Sequence, residues 1–299
     1  MIIPPYLHPG STIGIVPPAG KVNPNYIVNA KQFLEARGYN VLISDNSNSN
    51  YFQFAGTDEE RLVAVQRFLD DQSINAILFA RGGYGSIRII DKLDFTKFQQ
   101  HPKWLIGFSD ITVFHAKASQ LDIASIHSPM SSSMDINNAN DDIKLTMQLL
   151  KGKLDIKQPS PHPLNKKGCA DGILTGGNLS LIYALRSTPL DIDPKGKILF
   201  IEDLNEYLYH LDRMMHNLKL GGILENISGL IVGQFTFMKD NDYPFGQEAY
   251  QIINEAVKEY NYPVIFDYPA GHVDLNYPLI FGKRVEIEVF YDSVMVNYK

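Results

Sequence analysis

Residues 103–112 read KWLIGFSDIT, an apolar run that ends near Gly107 and is followed by residues that can begin a helix. A short, almost continuously apolar run is typical of a strand buried on both faces of a parallel sheet. We predict a strand over this run and a helix from about Asp110 to Leu121. Ser109 then lies at a corner between strand and helix, where side chains serve as helix caps or as functional groups.

The same alternation of strands and helices runs through the first half of the chain. Strand-like runs occur at residues 12–16 (TIGIV), 40–44 (NVLIS), 75–80 (NAILFA) and 122–130 (DIASIHSPM). Between them, Thr57 and Glu60 form a capping box that predicts the start of one helix, and Asn25 is expected to cap another. Apolar strands separated by amphipathic helices imply a parallel sheet with its working site at the carboxyl ends of the strands.

The segment over residues 151–170 is rich in proline and lysine and has no hydrophobic period, which is typical of a linker. We therefore predict an N-terminal domain over residues 1–150 and a C-terminal domain over residues 171–299. The predicted fold class is α/β. The N-terminal domain is expected to be Rossmann-like with a mostly parallel sheet, and the C-terminal domain to be α+β with a mixed, barrel-like sheet.

Composition and charge argue against several classes of protein. The 299 residues carry a net charge of −6 without a basic block, which argues against a nucleic-acid or anionic-membrane partner. No apolar run approaches the roughly 18 residues of a membrane span, and the first residues do not resemble a signal peptide. The single cysteine, Cys169, excludes an internal disulfide. We expect a cytoplasmic protein.

Ser109 has two interpretations. A serine before a helix is far more often an N-cap than a nucleophile, and the hydrolase elbow G-x-S-x-G is incomplete because Ile111 occupies the second glycine position. The position of Ser109 at the carboxyl end of a strand favours the nucleophile. In that case the backbone N–H of Asp110, rather than its carboxylate, is expected to face developing negative charge.

The glycine-rich loop RGGYGS, residues 81–86, follows the third strand and is also ambiguous. It is either a tight turn or an oxyanion hole, in which Gly82, Gly83 and Gly85 let backbone N–H groups approach a substrate oxygen. A phosphate cradle is the weaker interpretation, because the spacing is not G-x-G-x-x-G and no P-loop lysine follows.

Carboxylates and histidines near strand ends supply candidates for a general base. Glu202 stands near the end of the strand KILFIED, where a carboxylate is able to orient a histidine, and His272 lies in a loop flanked by prolines. His115 and His127 fall within the first-half sheet and its helices and are expected to be structural. No pair of histidines has metal-ligand spacing, so we predict no metal site.

Several short motifs occur in the order that characterises the LD-carboxypeptidases, a family of serine peptidases that this chain resembles from about Ile13 to Phe281. The motifs are ARGGYG (80–85), GFSDIT (107–112), GGNLSLI (176–182), LFIEDLNE (199–206) followed by YHLDR (209–213), and AGH (270–272). Five ordered motifs over nearly the whole chain are far more specific than any one of them.

The resemblance implies a Ser-His-Glu triad. Ser109 would be the nucleophile, His272 the general base and then acid, and Glu202 the group that orients His272. The triad logic is physically sound, since amide hydrolysis needs a nucleophile activated by a base and a third group that fixes the base's tautomer.

The resemblance also implies the supporting parts of the site. The backbone N–H groups of Gly83 and Asp110 would form the oxyanion hole, and Asn178 would contact the substrate. Because members of the family are usually homodimers and need no cofactor, we expect a homodimer without cofactor or metal.

The resemblance predicts a carboxypeptidase of peptidoglycan recycling. It would cleave the amide bond between an L-centre, either meso-diaminopimelate or L-lysine, and the terminal D-alanine of a murein tetrapeptide. Within the family, the alternative is a self-immunity peptidase that cleaves a peptidyl-nucleotide antibiotic of the microcin C type, which needs an aromatic platform and a cationic contact. Outside it, the alternatives are a small-molecule binding module without catalysis and a nucleotide-dependent enzyme that uses RGGYGS.

Overall fold

The computed structural model describes residues 1–135 and 140–299, which form two compact units. The first unit comprises Met1–Asp155 and Tyr277–Gly282, and the second comprises Ile156–Asn276 and Lys283–Lys299. The C-terminal domain predicted over residues 171–299 therefore contains a short segment, Tyr277–Gly282, that belongs to the first unit. This segment supplies a strand to the first sheet.

Strands and helices alternate along the first unit. Its strands are β1 (Thr12–Val16), β2 (Asn40–Ile43), β3 (Ile74–Phe79), β4 (Trp104–Gly107) and β5 (Ser125–His127). Its helices are α1 (Pro24–Glu35), α2 (Asp58–Asp70), α3 (Thr96–Gln100), α4 (Thr112–Gln120) and α5 (Asp141–Leu150).

The second unit begins with a long strand and ends in a hairpin. Its helices are α6 (Leu179–Ala184), α7 (Leu208–Leu220), α8 (Ile223–Asn226) and α9 (Ala249–Val257). The remaining strands, of which only β10 lies in the first unit, are β6 (Gly168–Asn178), β7 (Lys197–Leu204), β8 (Gly229–Thr236), β9 (Val264–Ile265), β10 (Leu279–Phe281), β11 (Arg284–Val289) and β12 (Val294–Tyr298).

The helix starts test the capping predictions. The capping box is confirmed, because Thr57 Oγ1 accepts from Glu60 N at 3.2 Å and a Glu60 carboxylate oxygen accepts from Thr57 N at 2.7 Å. The prediction for Asn25 is wrong. Asn23 is the N-cap of α1, and its side chain accepts from Asn25 N, because Pro24 is suited to the first helical position, where no N–H partner is needed.

The first sheet has the strand order β10-β5-β4-β3-β1-β2, with all neighbours parallel except the antiparallel pair of β10 and β5. The predicted α/β class and the mostly parallel sheet are confirmed. β2 lies on one side of β1 and β3 on the other, so the order of strands reverses at this point. Ligands of such sheets bind at the carboxyl ends of the strands beside this reversal. The loops that follow β1, β3 and β4 therefore frame the expected site.

The second sheet is mixed, as predicted, with the order β12-β11-β6-β7-β8-β9. Strands β6 to β9 are parallel, whereas β11 is antiparallel to both β6 and β12. The expectation of a barrel-like sheet is wrong, because β12 and β9 remain at opposite edges and the sheet stays open.

The alternation of side chains along β7 places Glu202 on a defined face of the second sheet. Leu199 and Ile201 belong to the apolar cluster formed with α7 and α9. Because successive side chains of a strand point to opposite faces, Phe200 and Glu202 lie on the other face.

No described helix is both long and apolar enough to cross a lipid bilayer.

Candidate active site

Ser109 lies in the sharp turn that connects β4 to α4. A 3-10 turn covers Ser109–Ile111, and α4 begins at Thr112. The φ angle of Ser109 is +64°, a left-handed conformation that is uncommon for a residue with a side chain. Backbone strain of this kind is concentrated at functional sites. The conformation therefore marks Ser109 as a candidate functional residue.

Ser109 does not occupy an N-cap position. The N-cap positions of the 3-10 turn and of α4 are Phe108 and Ile111, and neither forms a side-chain cap hydrogen bond. The first elbow glycine has a clear packing reason, because a Cβ at Gly107 would lie 3.0 Å from Ile111 Cγ1. The bulky residue at the second elbow position is thus accommodated by the glycine at the first.

The glycine-rich loop packs directly against Ser109. A Cβ at Gly82 would lie 3.0 Å from Ser109 Cβ and 3.2 Å from its Oγ. Gly20 N, in the loop after β1, donates a hydrogen bond to Gly82 O at 3.0 Å. Since the N–H and C=O of a trans peptide point in opposite directions, this bond turns the Gly83 N–H away from Gly20. The role of Gly82 is steric, because any side chain there would crowd the serine.

The predicted oxyanion donors are the backbone N–H groups of Gly83 and Asp110. Within residues 1–135 and 140–299, neither group donates a hydrogen bond to another residue. The Asp110 N–H lies close to the glycine loop, since a Cβ at Gly82 would be 3.3 Å from it. Neither donor is thus engaged by a described residue, and their role as an oxyanion hole stays a prediction.

The carboxylate of Asp110 has a contact that the sequence did not predict. It is 1% exposed, and its Oδ2 accepts a hydrogen bond from Ser86 N at 2.8 Å. Burial raises the pKa of this carboxyl. The side chain of Asp110 therefore ties the glycine loop to the serine turn, and the expected role of its backbone N–H stays a prediction.

His115 is buried behind the serine turn and is unsuited to be the base. Its Nε2–H donates to Gly107 O at 2.9 Å, and Ser125 Oγ, 2.8 Å away, donates to Nδ1. This assignment follows from the carbonyl, which only accepts. Burial lowers the pKa of His115 to about 4, so the imidazole is neutral at neutral pH. His127 is also fully buried.

In the second unit, Glu202 and His272 form a carboxylate–imidazole pair. His272 Nδ1 lies 2.7 Å from Glu202 Oε2, the Glu202 side chain is fully buried, and the His272 side chain is 16% exposed. Since the carboxylate only accepts, Nδ1 carries the proton and Nε2 is the basic nitrogen of the neutral ring. An imidazole oriented in this way has the form of a general base.

The electrostatics of this pair favour the protonated imidazole. Burial disfavours the charged ring, but the hydrogen bond to Glu202 and the negative charges of Glu202 and Asp203 outweigh it, so the pKa of His272 is raised. A group that accepts a proton during catalysis gains from this stabilisation of its charged form.

The loop that carries His272 is held closely against Glu202. Gly271 has a φ angle of +127°, and a Cβ at this position would lie 3.0 Å from Glu202 Oε2. Gly271 N donates to Asn276 Oδ1 at 2.8 Å, and Thr236 Oγ1 donates to His272 O at 3.2 Å. The glycine therefore allows the close approach, and the two hydrogen bonds fix the backbone on either side of it.

Asn178 and Asp203 join the ends of β6 and β7 beside Glu202. Asn178 caps α6 and is 2% exposed, and its Nδ2 donates to Asp203 Oδ1 at 2.9 Å. Asp203 Oδ2 accepts from Ser180 N at 2.8 Å. Burial, followed by the charge of Glu202, raises the pKa of Asp203 to about 7. The predicted role of Asn178 as a substrate contact stays a prediction, and its hydrogen bonds show a structural role.

A second carboxylate–imidazole pair was missed by the sequence reasoning. His210 Nδ1 lies 2.6 Å from Glu206 Oε2, and both side chains are about a quarter exposed. The i, i+4 spacing of the two residues was its only signal.

Among residues 1–135 and 140–299, no three His, Cys, Asp or Glu side chains converge in a way that could hold a metal ion.

Comparison with known families agrees with the division of the chain into two units. Residues 13–128 match the model of the LD-carboxypeptidase N-terminal domain, and residues 171–287 match that of the LD-carboxypeptidase C-terminal domain. The chain belongs to the LD-carboxypeptidase family. It is therefore a peptidase of the carboxypeptidase type, which makes it a hydrolase.

Proteins of known name are similar to this LD-carboxypeptidase over nearly its whole length. A probable murein peptide carboxypeptidase of Bacillus subtilis (strain 168) is 32% identical over 303 residues, which cover 98% of this chain and 94% of that protein. The crystal structure of a muramoyltetrapeptide carboxypeptidase from Oxalobacter formigenes has a TM-score of 0.87 at 26% identity, covering 96% of this chain and 98% of that one. The microcin C7 self immunity protein MccF has a TM-score of 0.87 at 18% identity, covering 100% and 99%, which shows a shared fold alone.

Proposed function

We propose that this LD-carboxypeptidase is a serine peptidase that removes the terminal D-alanine from murein tetrapeptides in peptidoglycan recycling. The names of the Bacillus subtilis and Oxalobacter formigenes relatives support the substrate class. The observation that carries the mechanism is the 2.7 Å hydrogen bond between His272 and the buried Glu202. A buried carboxylate that fixes one tautomer of an imidazole is the usual support of a general base that activates a hydroxyl.

In the proposed mechanism, Ser109 Oγ attacks the carbonyl carbon of the L-centre while His272 Nε2 takes its proton. The Gly83 and Asp110 N–H groups stabilise the oxyanion, and Glu202 stabilises the imidazolium. The intermediate collapses when the imidazolium gives its proton to the departing amine of D-alanine. Water then attacks the acyl-enzyme with His272 again as base, which releases the tripeptide and restores the serine.

The proposal also covers the third residue of the substrate, the location of the enzyme, its oligomeric state and its need for a cofactor. The L-centre is meso-diaminopimelate or L-lysine, and the enzyme works in the cytoplasm as a homodimer without a cofactor. Peptides that differ only in this third residue distinguish the two substrates, and light scattering of the purified protein measures the oligomeric state.

Release of D-alanine from a murein tetrapeptide tests the proposal. Ser109→Ala is expected to lower kcat by about 10⁶-fold, the size of effect seen when a triad serine is removed. Ser119→Ala is a matched control, because Ser119 lies on α4 in the same unit, outside the serine turn. Near wild-type turnover by Ser109→Ala would rule out the proposal.

The histidine has a matched control of its own. His272→Ala and His210→Ala each remove an imidazole that is paired with a carboxylate in the second unit. Only His272→Ala is expected to abolish turnover. If His210→Ala had the larger effect, the general base would have been assigned to the wrong pair.

An exposed aromatic cluster favours a second candidate function, cleavage of a peptidyl-nucleotide. The rings of Tyr207 and Tyr209 are 5.5 Å apart, Lys239 Nζ lies 5.8 Å from the Tyr207 ring, and Arg213 Cζ lies 5.3 Å from the Tyr209 ring. Aromatic faces beside cations suit a nucleobase and its phosphate. Parallel assays of a murein tetrapeptide and an aminoacyl-nucleotide separate the two functions, and we expect the tetrapeptide to be preferred.

A further inference from the structure

Hydrogen bonds from residues distant in the chain hold the glycine loop, defined here as residues 82–86. Gly82 O accepts from Gly20 N at 3.0 Å, and Gly85 O accepts from Arg61 Nη1 at 3.0 Å. Ser86 N donates to Asp110 Oδ2 at 2.8 Å. The loop is therefore fixed at its first, fourth and fifth residues, and the Gly83 N–H lies between the fixed points.

Arg61 is a charged residue at a fully buried position, where charged residues are rarely found. It is 0% exposed, and its Nη1 donates to Pro18 O at 2.7 Å as well as to Gly85 O, while Nη2 pairs with Asp58. One guanidinium thus joins the loop after β1 to the loop after β3. Burying an ion pair seldom adds stability over well-packed apolar side chains. A stability role therefore explains this arginine poorly, whereas a role in fixing the two loops uses both of its bonds to backbone carbonyls.

Gly85 is adapted to this arginine. Its φ angle is +143°, and a Cβ at this position would lie 2.8 Å from Arg61 Nη1. The absence of a side chain lets the guanidinium reach the carbonyl. The glycine at position 85 therefore serves the contact with Arg61, whereas the glycine at position 82 leaves space beside the serine.

Asp110 connects the same loop to the serine turn. Its backbone N–H is one predicted oxyanion donor, and its carboxylate binds the N–H of Ser86, three residues after the other donor, Gly83. The separation of the two donors consequently depends on this hydrogen bond. Donors stabilise an oxyanion when they lie about 2.7–3.1 Å from the position that it will occupy.

We propose that Arg61 and the Asp110 carboxylate are positioning residues, which hold the Gly83 and Asp110 N–H groups at the separation that an oxyanion requires. This inference rests on the proposed function, because it assumes that an oxyanion forms beside these two groups. Neither side chain touches the substrate. Both act through the glycine loop.

The test compares Arg61→Met and Asp110→Ala with two matched controls. Asp110→Asn keeps an oxygen that can accept from Ser86 N, which Asp110→Ala removes. Arg67→Met removes another arginine of α2, whose guanidinium pairs with the exposed Asp45. The readouts are kcat and KM for D-alanine release, and the affinities for a peptide boronate and for the tripeptide product.

Arg61→Met and Asp110→Ala are expected to lower kcat by about 10²–10³-fold, the effect of losing one oxyanion donor. KM and product affinity should change by less than about threefold, whereas the affinity for the boronate, whose adduct is a tetrahedral anion, should fall in parallel with kcat. Asp110→Asn and Arg67→Met should stay within about tenfold of the wild type. If Arg61→Met fails to fold, the Asp110→Ala and Asp110→Asn pair decides.

Three results would overturn the inference while leaving the proposed function intact. These are unchanged kcat in Arg61→Met and Asp110→Ala, equal losses in Asp110→Ala and Asp110→Asn, and equal losses in Arg61→Met and Arg67→Met. Turnover by Ser109→Ala, measured alongside, would instead overturn the proposed function itself.

Discussion

Replacing Gly271 with alanine tests whether catalysis depends on the close approach of the His272 loop to Glu202. Gly271 has a φ angle of +127°, and a side chain in such a region costs about 1–3 kcal/mol. The added Cβ would also lie 3.0 Å from both Cβ and Oε2 of Glu202. Because Glu202 is fully buried on β7, a strand paired on both sides, we expect the loop to move and the carboxylate to stay.

A displacement of about 1 Å costs on the order of 10²-fold in rate, so kcat for D-alanine release should fall by about that factor in Gly271→Ala. Gly246→Ala is the matched control, because Gly246 has a φ angle of +86° and a Cβ there would have no neighbour within 4 Å. Both variants should lower Tm, by about 2–4 °C for each kcal/mol of strain. Only Gly271→Ala should lose activity. Normal kcat in Gly271→Ala, or an equal loss in Gly246→Ala, would refute the reasoning.

Two further predictions concern charge. Glu202→Gln removes the carboxylate that raises the pKa of His272. We expect kcat to fall by about 10⁴-fold and the acidic limb of the pH profile of kcat/KM to move to lower pH. An acidic limb at the wild-type pH would contradict this prediction. Asp203, with its pKa raised to about 7 by burial, binds a proton more tightly when folded, so the free energy of unfolding should fall as pH rises from about 4 to about 7. Urea unfolding across this range should show the slope in the wild type and lose it in Asp203→Asn.

The parts of the fold that depend on local patterns were predictable. Apolar runs bounded by helix starts identified β1, β3 and β4, and the capping box at Thr57 and Glu60 marked the start of α2. Local signals failed where one residue changed the geometry of its neighbours. Pro24 occupies the first turn of α1 and moves the cap from the predicted Asn25 to Asn23.

Long-range pairing was not predictable from these patterns. β10 joins the first sheet beside β5 although it follows β9 in the chain, and no residue near Leu279–Phe281 signals that partner. The barrel-like form of the second sheet was wrong for the same reason. Closure depends on whether the edge strands meet, and the alternation within each strand carries no information about its neighbours.

The candidate site was likewise predictable only in part. The motifs supplied residue types and their order, including Ser109, Glu202 and His272. They did not supply the left-handed backbone of the serine or the hydrogen bond of the Asp110 carboxylate. Arg61 is the clearest case, because within the charged run DEER it resembles a solvated helix residue, and only the folded chain shows that it is buried between two loops.

Labelling with a serine-directed fluorophosphonate tests the central claim, that Ser109 is the nucleophile, most directly. Peptide mapping by mass spectrometry should find one adduct per chain, on Ser109, formed in parallel with the loss of D-alanine release. Ser109→Ala should take no label, and His272→Ala should react far more slowly. Full inactivation with the label on another residue would contradict the account.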